Sequence, residues 1–253
     1  GSSATFFVVG TDLSEPALID ALRGASAHGV ELASHSFHHN YRLSRLDAKS
    51  IADDLEQCDR SMQSHFGSAP VGFRAPGYTL SPALAAAIAK RGYKYDSSVF
   101  PAAPYYLAKA TVMAALQLVG RPSRAILDTP SVMAAPRSAY VPSVENPYRR
   151  GDAPFLELPI SVSRFGRIPL FGTLVTIAPW PVVEALCGMM KHERFINFEM
   201  HAIDVLDVSD GIPPQLARQQ RDLAIPFREK RRRLKKVFSW LREEREIVTL
   251  AEA

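Results

Sequence analysis

Short apolar runs alternate with longer segments of helical periodicity along the first hundred residues. The run Thr5–Val9, TFFVV, is β-branched and aromatic, as is typical of a buried strand. Helical spacing follows from Pro16, the stretch VELASH (30–35) predicts a second strand, and Leu46–Phe66 predicts a long amphipathic helix. Because helices that connect successive strands make those strands parallel, the chain is predicted to adopt an α/β fold. Either a (β/α) barrel or an open doubly wound sheet satisfies the pattern.

The alternation continues further along the chain. The other predicted strands are Val71–Phe73, Tyr93–Asp96, Phe155–Ser161, Phe195–His201 and EIVTL (246–250). The other predicted helices are Ser81–Arg91, Pro181–Lys191 and Pro214–Glu244. Between residues 101 and 150 a segment rich in Pro, Ala and Tyr interrupts the pattern and is predicted to be an irregular excursion. We expect one domain over residues 1–253, since no internal repeat divides the chain.

Charge and cysteine content narrow the classes of function. The formal net charge of +4 comes largely from Arg228–Lys236, REKRRRLKK, so no nucleic-acid partner is expected. Apolar residues at near-helical spacing around that segment predict a barrel helix with a solvated charged face, with contact to an anionic membrane as the alternative. Cys58 and Cys187 lie far apart without C-x-x-C spacing, so neither a disulfide framework nor a cysteine metal site is indicated. Any metal would therefore be bound by nitrogen and oxygen ligands.

The most apolar part of the chain, residues 168–190, is interrupted by glycines, prolines and Glu184, unlike a membrane-spanning helix. Packing in the core is the favoured interpretation, and a lipid-linked sugar substrate held near a membrane is the alternative. The opening residues lack the charged start and cleavage pattern of a signal peptide, which favours a cytoplasmic location. Oligomeric state is left open by these patterns.

Polar residues follow the predicted strands where each strand ends. His35 and His39 follow one strand, Arg74 another, Asp96 ends a third and His201 a fourth. In parallel α/β folds the carboxyl ends of the strands are where sites are assembled, so these side chains are expected to meet.

Each of these residues has a candidate chemistry and a structural alternative. His35 and His39 have a spacing suited to one divalent metal, although surface or core histidines can share it. His38 is expected to face outward. Arg74 could hold a carboxylate bidentately or staple its loop. His201 could donate a proton to a leaving group, oriented by Asp96 or Asp204.

The motifs ATFFVVG, HSFHH, FRAPGY, YDSSVFP, FLELPIS and FEMHAID, in this order, resemble those of the polysaccharide deacetylase family, the NodB-like carbohydrate esterases. The resemblance implies a distorted (β/α) barrel and hydrolytic removal of acyl groups, typically N-acetyl, from amino sugars or related amides. It also implies a divalent metal cofactor, commonly zinc, and an amino-sugar glycan or related N-acylated substrate as partner, which could be linked to a membrane.

The resemblance assigns roles to individual residues. His35 and His39 match the metal ligands, Arg74 the arginine that positions a catalytic aspartate, and His201 the general acid. Asp96 matches an aspartate that tunes that histidine. Residues implied to line the substrate site are Pro76, Gly77, Tyr78, Phe100 and Met200, with the backbone N–H of Tyr78 as a candidate oxyanion donor.

One departure from the family pattern concerns carboxylates. The family has two adjacent aspartates on a strand that precedes ATFFVVG, one the base and one a metal ligand, whereas Gly1–Ser3 alone precede that segment here. We therefore expect an N-terminally truncated deacetylase whose barrel lacks its first strand and whose activity is impaired. Two alternatives stay open, namely an inactive domain that binds glycans and an amidohydrolase that acts on a small non-sugar amide.

Overall fold

Five short strands lie parallel in one sheet, in the order in which they occur along the chain. The structure is a computed structural model that describes residues 3–121 and 126–253. The strands are β1 (Ala4–Val8), β2 (Val30–Ser34), β3 (Gly72–Phe73), β4 (Tyr95–Asp96) and β5 (Leu156–Glu157). The parallel α/β fold predicted from the sequence is confirmed, while closure into a barrel and the lack of a first strand stay predictions.

Eight α-helices accompany these strands in the described residues. They are α1 (Pro16–Ala27), α2 (Ala48–Phe66), α3 (Pro82–Arg91), α4 (Ala103–Leu118), α5 (Gly172–Ile177), α6 (Trp180–Met190), α7 (Pro214–Gln219) and α8 (Phe227–Glu244). The chain divides into two compact units. The first is built from the residues up to 101, 105–159 and 247–253, and the second from 102–104 and 160–246. A single domain over the whole chain stays a prediction.

Capping residues explain where the helices of the first unit begin and end. The Asp47 side chain accepts a hydrogen bond from the Ser50 amide at the start of α2, and Gly67 ends that helix with a φ of 82°. Ser81 caps α3 in the same way, and Pro82 occupies its first turn. Ser14, which the sequence suggests as the cap of α1, instead donates to the Thr11 carbonyl in the preceding turn.

The core of the first unit lies between the sheet and helices α2 and α3. Ile51 and Leu55 of α2, Phe73 of β3, and Leu84 and Ile88 of α3 each have 0% exposure and belong to one apolar cluster. The hydroxyl of Ser34 on β2 donates to the Cys58 sulfur of α2 at 3.3 Å. This face of the sheet is therefore covered by helices down to the last residue of β2.

Four predicted elements differ from the structure. The excursion at 101–150 contains α4, which the sequence analysis missed because this Ala- and Leu-rich helix buries no residue fully and so lacks a clear apolar stripe. The predicted helix 214–244 is two helices, and Pro226 is the N-cap of the second. Residues 195–201 form no strand ladder, and only Glu199 pairs, with Phe171. Residues 246–250 form no strand either.

The second unit has a helical core of its own. Val175 of α5, Val183 and Leu186 of α6, and Leu234 and Val237 of α8 form one buried apolar cluster. The apolar segment 168–190 thus packs in this core, as the favoured interpretation held. In the described part of the chain, no helix combines the length and apolarity needed to cross a bilayer.

Gly72 tests how closely the strands of the first unit are packed. A Cβ at this position would overlap the ring and hydroxyl of Tyr95 on the adjacent strand, and that hydroxyl is bonded to Glu31 at 2.8 Å. We expect Gly72→Ala to lower the free energy of unfolding by about 1–3 kcal/mol, measured by urea denaturation. Gly24→Ala in α1, where a Cβ would meet nothing within 4 Å, should raise it by about 0.4–1 kcal/mol. Equal effects of the two substitutions would contradict this packing.

Candidate functional site

The strand register separates the strand-end residues into two rows. Ser34, Phe73, Asp96 and Glu157 are register partners across β2 to β5, and each has 0% exposure. Partners in a sheet share a face, and successive residues alternate between faces. The next row, His35, Arg74, Ser97 and Leu158, therefore lies on the opposite face. His35 and Arg74 come together as predicted, and Asp96 does not join them.

His35 and His39 lie side by side in the loop after β2. Their ring centroids are 4.9 Å apart, and Nδ1 of His35 lies 2.7 Å from the Arg74 carbonyl oxygen. Because a carbonyl can only accept, Nδ1 carries the proton, and Nε2 is the lone-pair nitrogen of a neutral His35 ring. A second contact that fixes a ring nitrogen in this way is typical of metal-ligating histidines.

The backbone of this loop is tightly turned. Ser36 and His39 have positive φ values of 67° and 50°, and the His39 amide donates to the Ser36 hydroxyl at 3.1 Å. Residues other than glycine are rarely found in this region of φ and ψ, and such strain concentrates at functional sites. The turn brings His39 back toward His35 without a helical turn between them.

Asp54 of α2 accepts hydrogen bonds from the loop that contains His35 and His39. Its carboxylate accepts the Phe37 amide at 2.8 Å, the His38 amide at 3.2 Å and Nδ1 of His38 at 2.8 Å. The Asp54 side chain is 6% exposed and the His38 side chain 57% exposed. His38 thus faces outward, as expected. Its ring contacts the same Asp54 carboxylate that binds the loop backbone. The sequence analysis did not single out Asp54, whose place on the buried side of α2 was the available signal.

The imidazole pair fits as part of a metal site. It offers two nitrogen donors of the kind that zinc prefers, and catalytic zinc sites usually have three protein ligands. Among residues 3–121 and 126–253, no group of three His, Cys, Asp or Glu side chains is placed to hold a metal ion. The described residues therefore offer two candidate ligands, and metal binding and the identity of the metal stay predictions.

Arg74 links β3 to β4 in the structure. Its Nε donates to the Ser97 carbonyl at 2.8 Å, Nη2 donates to the Ser97 hydroxyl at 2.7 Å, and the guanidinium lies 4.2 Å from the centre of the Phe7 ring. These contacts match the loop-stapling alternative, since the described hydrogen bonds of Arg74 go to Ser97 and not to a carboxylate. The predicted role of positioning a catalytic aspartate stays a prediction.

Asp96 and Glu157 form a buried carboxyl pair that the sequence analysis missed. Ser98 donates to Oδ1 of Asp96 at 2.6 Å, and the Val99 amide donates to Oε1 of Glu157 at 3.0 Å. Oδ2 of Asp96 and Oε2 of Glu157 have no donor among the described residues. Burial raises the pKa of Asp96, and burial with the neighbouring Asp96 charge raises the pKa of Glu157 well above its usual range.

A proton on Glu157 explains how Oδ2 of Asp96 and Oε2 of Glu157 can be buried without any other donor among the described residues. A neutral Glu157 can donate a hydrogen bond to Asp96, as in other close carboxyl pairs that share one proton. The predicted role of Asp96, tuning His201, is not what these contacts support. The aspartate lies in a fully buried row on the face of the sheet that α2 covers.

The residues 76–78 form a tight turn beside a group of aromatic rings. Gly77 has a φ of 72° and Tyr78 a φ of 60°, and the ring centroids of Tyr78 and Phe100 are 5.4 Å apart. Gly77, Tyr78 and Phe100 line one small cavity together with α4 side chains and Asp128. Pro76 is itself buried. The Tyr78 amide donates to the Ala75 carbonyl at 3.2 Å, and its suggested role as oxyanion donor stays a prediction.

In the second unit, His201 is paired with a carboxylate that the sequence analysis did not select. Its Nε2 lies 3.1 Å from Oε1 of Glu199, whose side chain is 3% exposed. Asp204, the suggested partner, instead accepts the backbone amide of His201 at 2.9 Å and the Thr173 hydroxyl at 2.8 Å. Glu199 and His201 are two residues apart in an extended segment, where side chains point to the same side, and this spacing was the sequence signal for their contact. Met200 packs against the apolar cluster of this unit, and its role as a wall of the substrate site stays a prediction.

Substitution of Glu157 tests the shared proton. We expect Glu157→Gln to change the free energy of unfolding by less than about 1 kcal/mol at neutral pH, because the amide can donate to Asp96 as the neutral acid does. Glu157→Ala should cost at least about 2 kcal/mol, since it leaves Asp96 buried without that donor. Urea denaturation of both variants gives the comparison, and equal losses would contradict a protonated Glu157.

The same proton predicts a pH dependence. The folded-state pKa of Glu157 is raised, so the folded chain binds this proton more tightly than the unfolded chain does. Its contribution to stability is therefore present at acid pH and is lost as the pH rises through the raised value. Wild-type stability should fall toward alkaline pH, and the fall should be smaller in Glu157→Gln. Parallel pH profiles of the two proteins would contradict this sign.

We expect Asp54 to keep the loop that contains His35 and His39 in one conformation. We expect Asp54→Ala to lower the free energy of unfolding by about 2 kcal/mol or more, because it leaves two amides without their charged acceptor. Hydrogen exchange at the Phe37 and His38 amides should become faster. Asp53→Ala is the matched control, since Asp53 is half-exposed and pairs with exposed Lys49, and it should change stability by less than about 0.5 kcal/mol. Unchanged exchange in Asp54→Ala would contradict this role.

Comparisons with known proteins agree with this geometry. Residues 1–95 match the family model described as polysaccharide deacetylase. The peptidoglycan deacetylase-like protein FGM2 of Gibberella zeae is 35% identical over 81 residues, which is 31% of this chain and 24% of that protein. The chain therefore aligns with about a quarter of the length of this curated relative.

A solved structure extends the likeness of fold beyond residue 95. A putative polysaccharide deacetylase from Mycobacterium smegmatis superposes on 99% of this chain and 70% of its own, with a TM-score of 0.58 and 18% identity. The Xyl-CE4 domain of a xylanase from the hindgut metagenome of Trinervitermes trinervoides covers 34% of this chain and 42% of its own, at 24% identity and a TM-score of 0.32. Residues 1–95 are therefore similar to the polysaccharide deacetylase family, and the Mycobacterium smegmatis protein shares the fold of the chain.

Proposed function

We propose that this chain belongs to a metal-dependent hydrolase that removes an acyl group, in the first place acetyl, from an amino sugar of a glycan. The observation that carries the proposal is the His35–His39 pair, two imidazoles 4.9 Å apart in a strained loop at the end of a parallel strand. Such strand ends are where α/β enzymes assemble their sites. The family match over residues 1–95 supports the reaction class.

The first unit would bind the metal through His35 and His39. The Arg74 carbonyl holds Nδ1 of His35 and so directs Nε2 toward a ligand position. When bound, a zinc-like ion would polarise the acyl oxygen and lower the pKa of a coordinated water. Zinc suits this donor set because imidazole is among its preferred ligands.

The turn at residues 76–78 would contribute to substrate binding. Tyr78 and Phe100 present aromatic rings 5.4 Å apart beside this turn, and ligand sites commonly combine apolar walls with a few fixed polar groups. Asp128 adds such a group to the same small cavity, and burial raises its pKa to about 6. An amino-sugar ring with an N-acyl group offers both apolar and hydrogen-bonding surface. The printed name of the Gibberella zeae relative, peptidoglycan deacetylase-like, favours peptidoglycan-type sugars as the first class to test.

His201 would act as the proton donor to the departing amine. Its ring lies against the buried carboxylate of Glu199, which restrains the orientation of the imidazole. The side chain is 50% exposed, so a proton can be exchanged with solvent. This role rests on the family resemblance and on the contact with Glu199.

Zinc titration of histidine variants tests the proposal. We expect the protein to bind zinc and to release acetate from N-acetylated chito-oligosaccharides or peptidoglycan fragments. His35→Ala and His39→Ala should each weaken zinc binding by at least about 100-fold, because each removes a direct ligand. His28→Ala is the matched control, since His28 is an exposed histidine of the same unit bonded to the Gly24 carbonyl, and it should leave zinc binding unchanged.

Isothermal titration calorimetry and an acetate-release assay separate the outcomes. Zinc binding that persists in the His35→Ala/His39→Ala double variant would contradict the ligand assignment. Zinc and glycan binding without acetate release would instead support the inactive glycan-binding domain. Acetate release from small amides but from no amino sugar would assign the chain to the amidohydrolase alternative.

A further inference from the structure

Helix α8 carries a row of exposed cations next to its core contacts. Leu234, Val237 and Leu241 are buried in the apolar cluster of the second unit. A row of exposed residues spaced by three, four and seven positions lies along one side of the helix. We call this row the basic stripe; it consists of Arg228, Arg231, Lys235 and Arg242.

The basic stripe is not neutralised by carboxylates in the described part of the chain. The ion pairs of α8 join Glu229 to Arg232 and to Arg233, neither of which belongs to the stripe. Burial of Lys230, whose Nζ donates to the Ile203 and Leu206 carbonyls, removes another cation from the surface. What stays exposed is a concentration of positive charge on one helix, which attracts anionic partners.

An exposed aromatic side chain borders these cations on the same helix. Phe227, at the start of α8, is 40% exposed. Because Phe227 and Arg231 are four residues apart, their side chains lie on the same side of the helix. The cations of the stripe and an aromatic ring thus share one surface.

This combination distinguishes a lipid surface from other polyanions. Cations alone suit any phosphate or carboxylate polymer, but an exposed Phe side chain next to them gains free energy when it enters the apolar phase of a membrane. We propose that the basic stripe and Phe227 form a surface that binds an anionic lipid membrane peripherally. The inference does not depend on the proposed hydrolase chemistry.

Vesicle flotation tests this surface in the whole protein. We expect binding to vesicles of phosphatidylcholine with phosphatidylglycerol, little binding to phosphatidylcholine alone, and weaker binding at high salt. Arg231→Gln/Lys235→Gln should weaken binding by roughly tenfold or more, since each cation near an anionic surface contributes to affinity. Lys90→Gln/Arg121→Gln, an equal charge change at two exposed cations of the first unit, should leave binding unchanged.

A third variant and a soluble polymer complete the test. Phe227→Ser should weaken vesicle binding while keeping its salt dependence, because it removes an apolar and not an ionic contact. No flotation, equal binding to neutral vesicles, or equal losses in the two double variants would overturn the proposal. Binding to dextran sulfate without flotation would overturn it too and would assign the stripe to a soluble polyanion. Circular dichroism confirms that each variant is folded.

Discussion

The alternation of side chains across the parallel sheet decides which polar residues of the first unit can meet. The register partners that include Asp96 and Glu157 are buried on the face covered by helices. The next residues along these strands, among them His35 and Arg74, lie on the other face. A shift of one residue in any strand would exchange the two rows. The imidazole pair therefore depends on a register that the apolar partners, such as Phe73 with 0% exposure, hold in place.

The parts of the fold that the sequence predicts are those that local chemistry specifies. Strands β1 and β2 and helices α2 and α3 have clear periodicity and capping residues such as Asp47 and Ser81, and the structure has them within two residues of the prediction. Helix α4 escaped detection because nothing in it is fully buried. The helix predicted over residues 214–244 instead ends at Gln219, and α8 begins after its N-cap Pro226.

The two neighbouring imidazoles of the candidate site were predictable from the sequence, and the residues that support them were less so. His35 and His39 follow from spacing and from the strand before them. Glu157 and Asp54 were missed because each acts through a partner distant in sequence or through the backbone, which spacing does not reveal. For Glu199 the two-residue spacing from His201 was an available signal. Asp96 was misplaced because a strand-end aspartate looks the same in sequence whichever face it occupies, and only the register settles the face.

Both loops that carry candidate imidazoles are held by a charge buried on a helix. Asp54 of α2 accepts two amides from the loop of His35–His39, and Lys230 of α8, with 0% exposure, donates to two carbonyls of the loop after His201. Burying an ion costs free energy that apolar residues of the same volume would not incur. Each ion satisfies backbone groups of opposite polarity, an acid taking N–H and an ammonium taking C=O. The charges thus stabilise loop conformations that an apolar core could not specify, including the positive φ of His39.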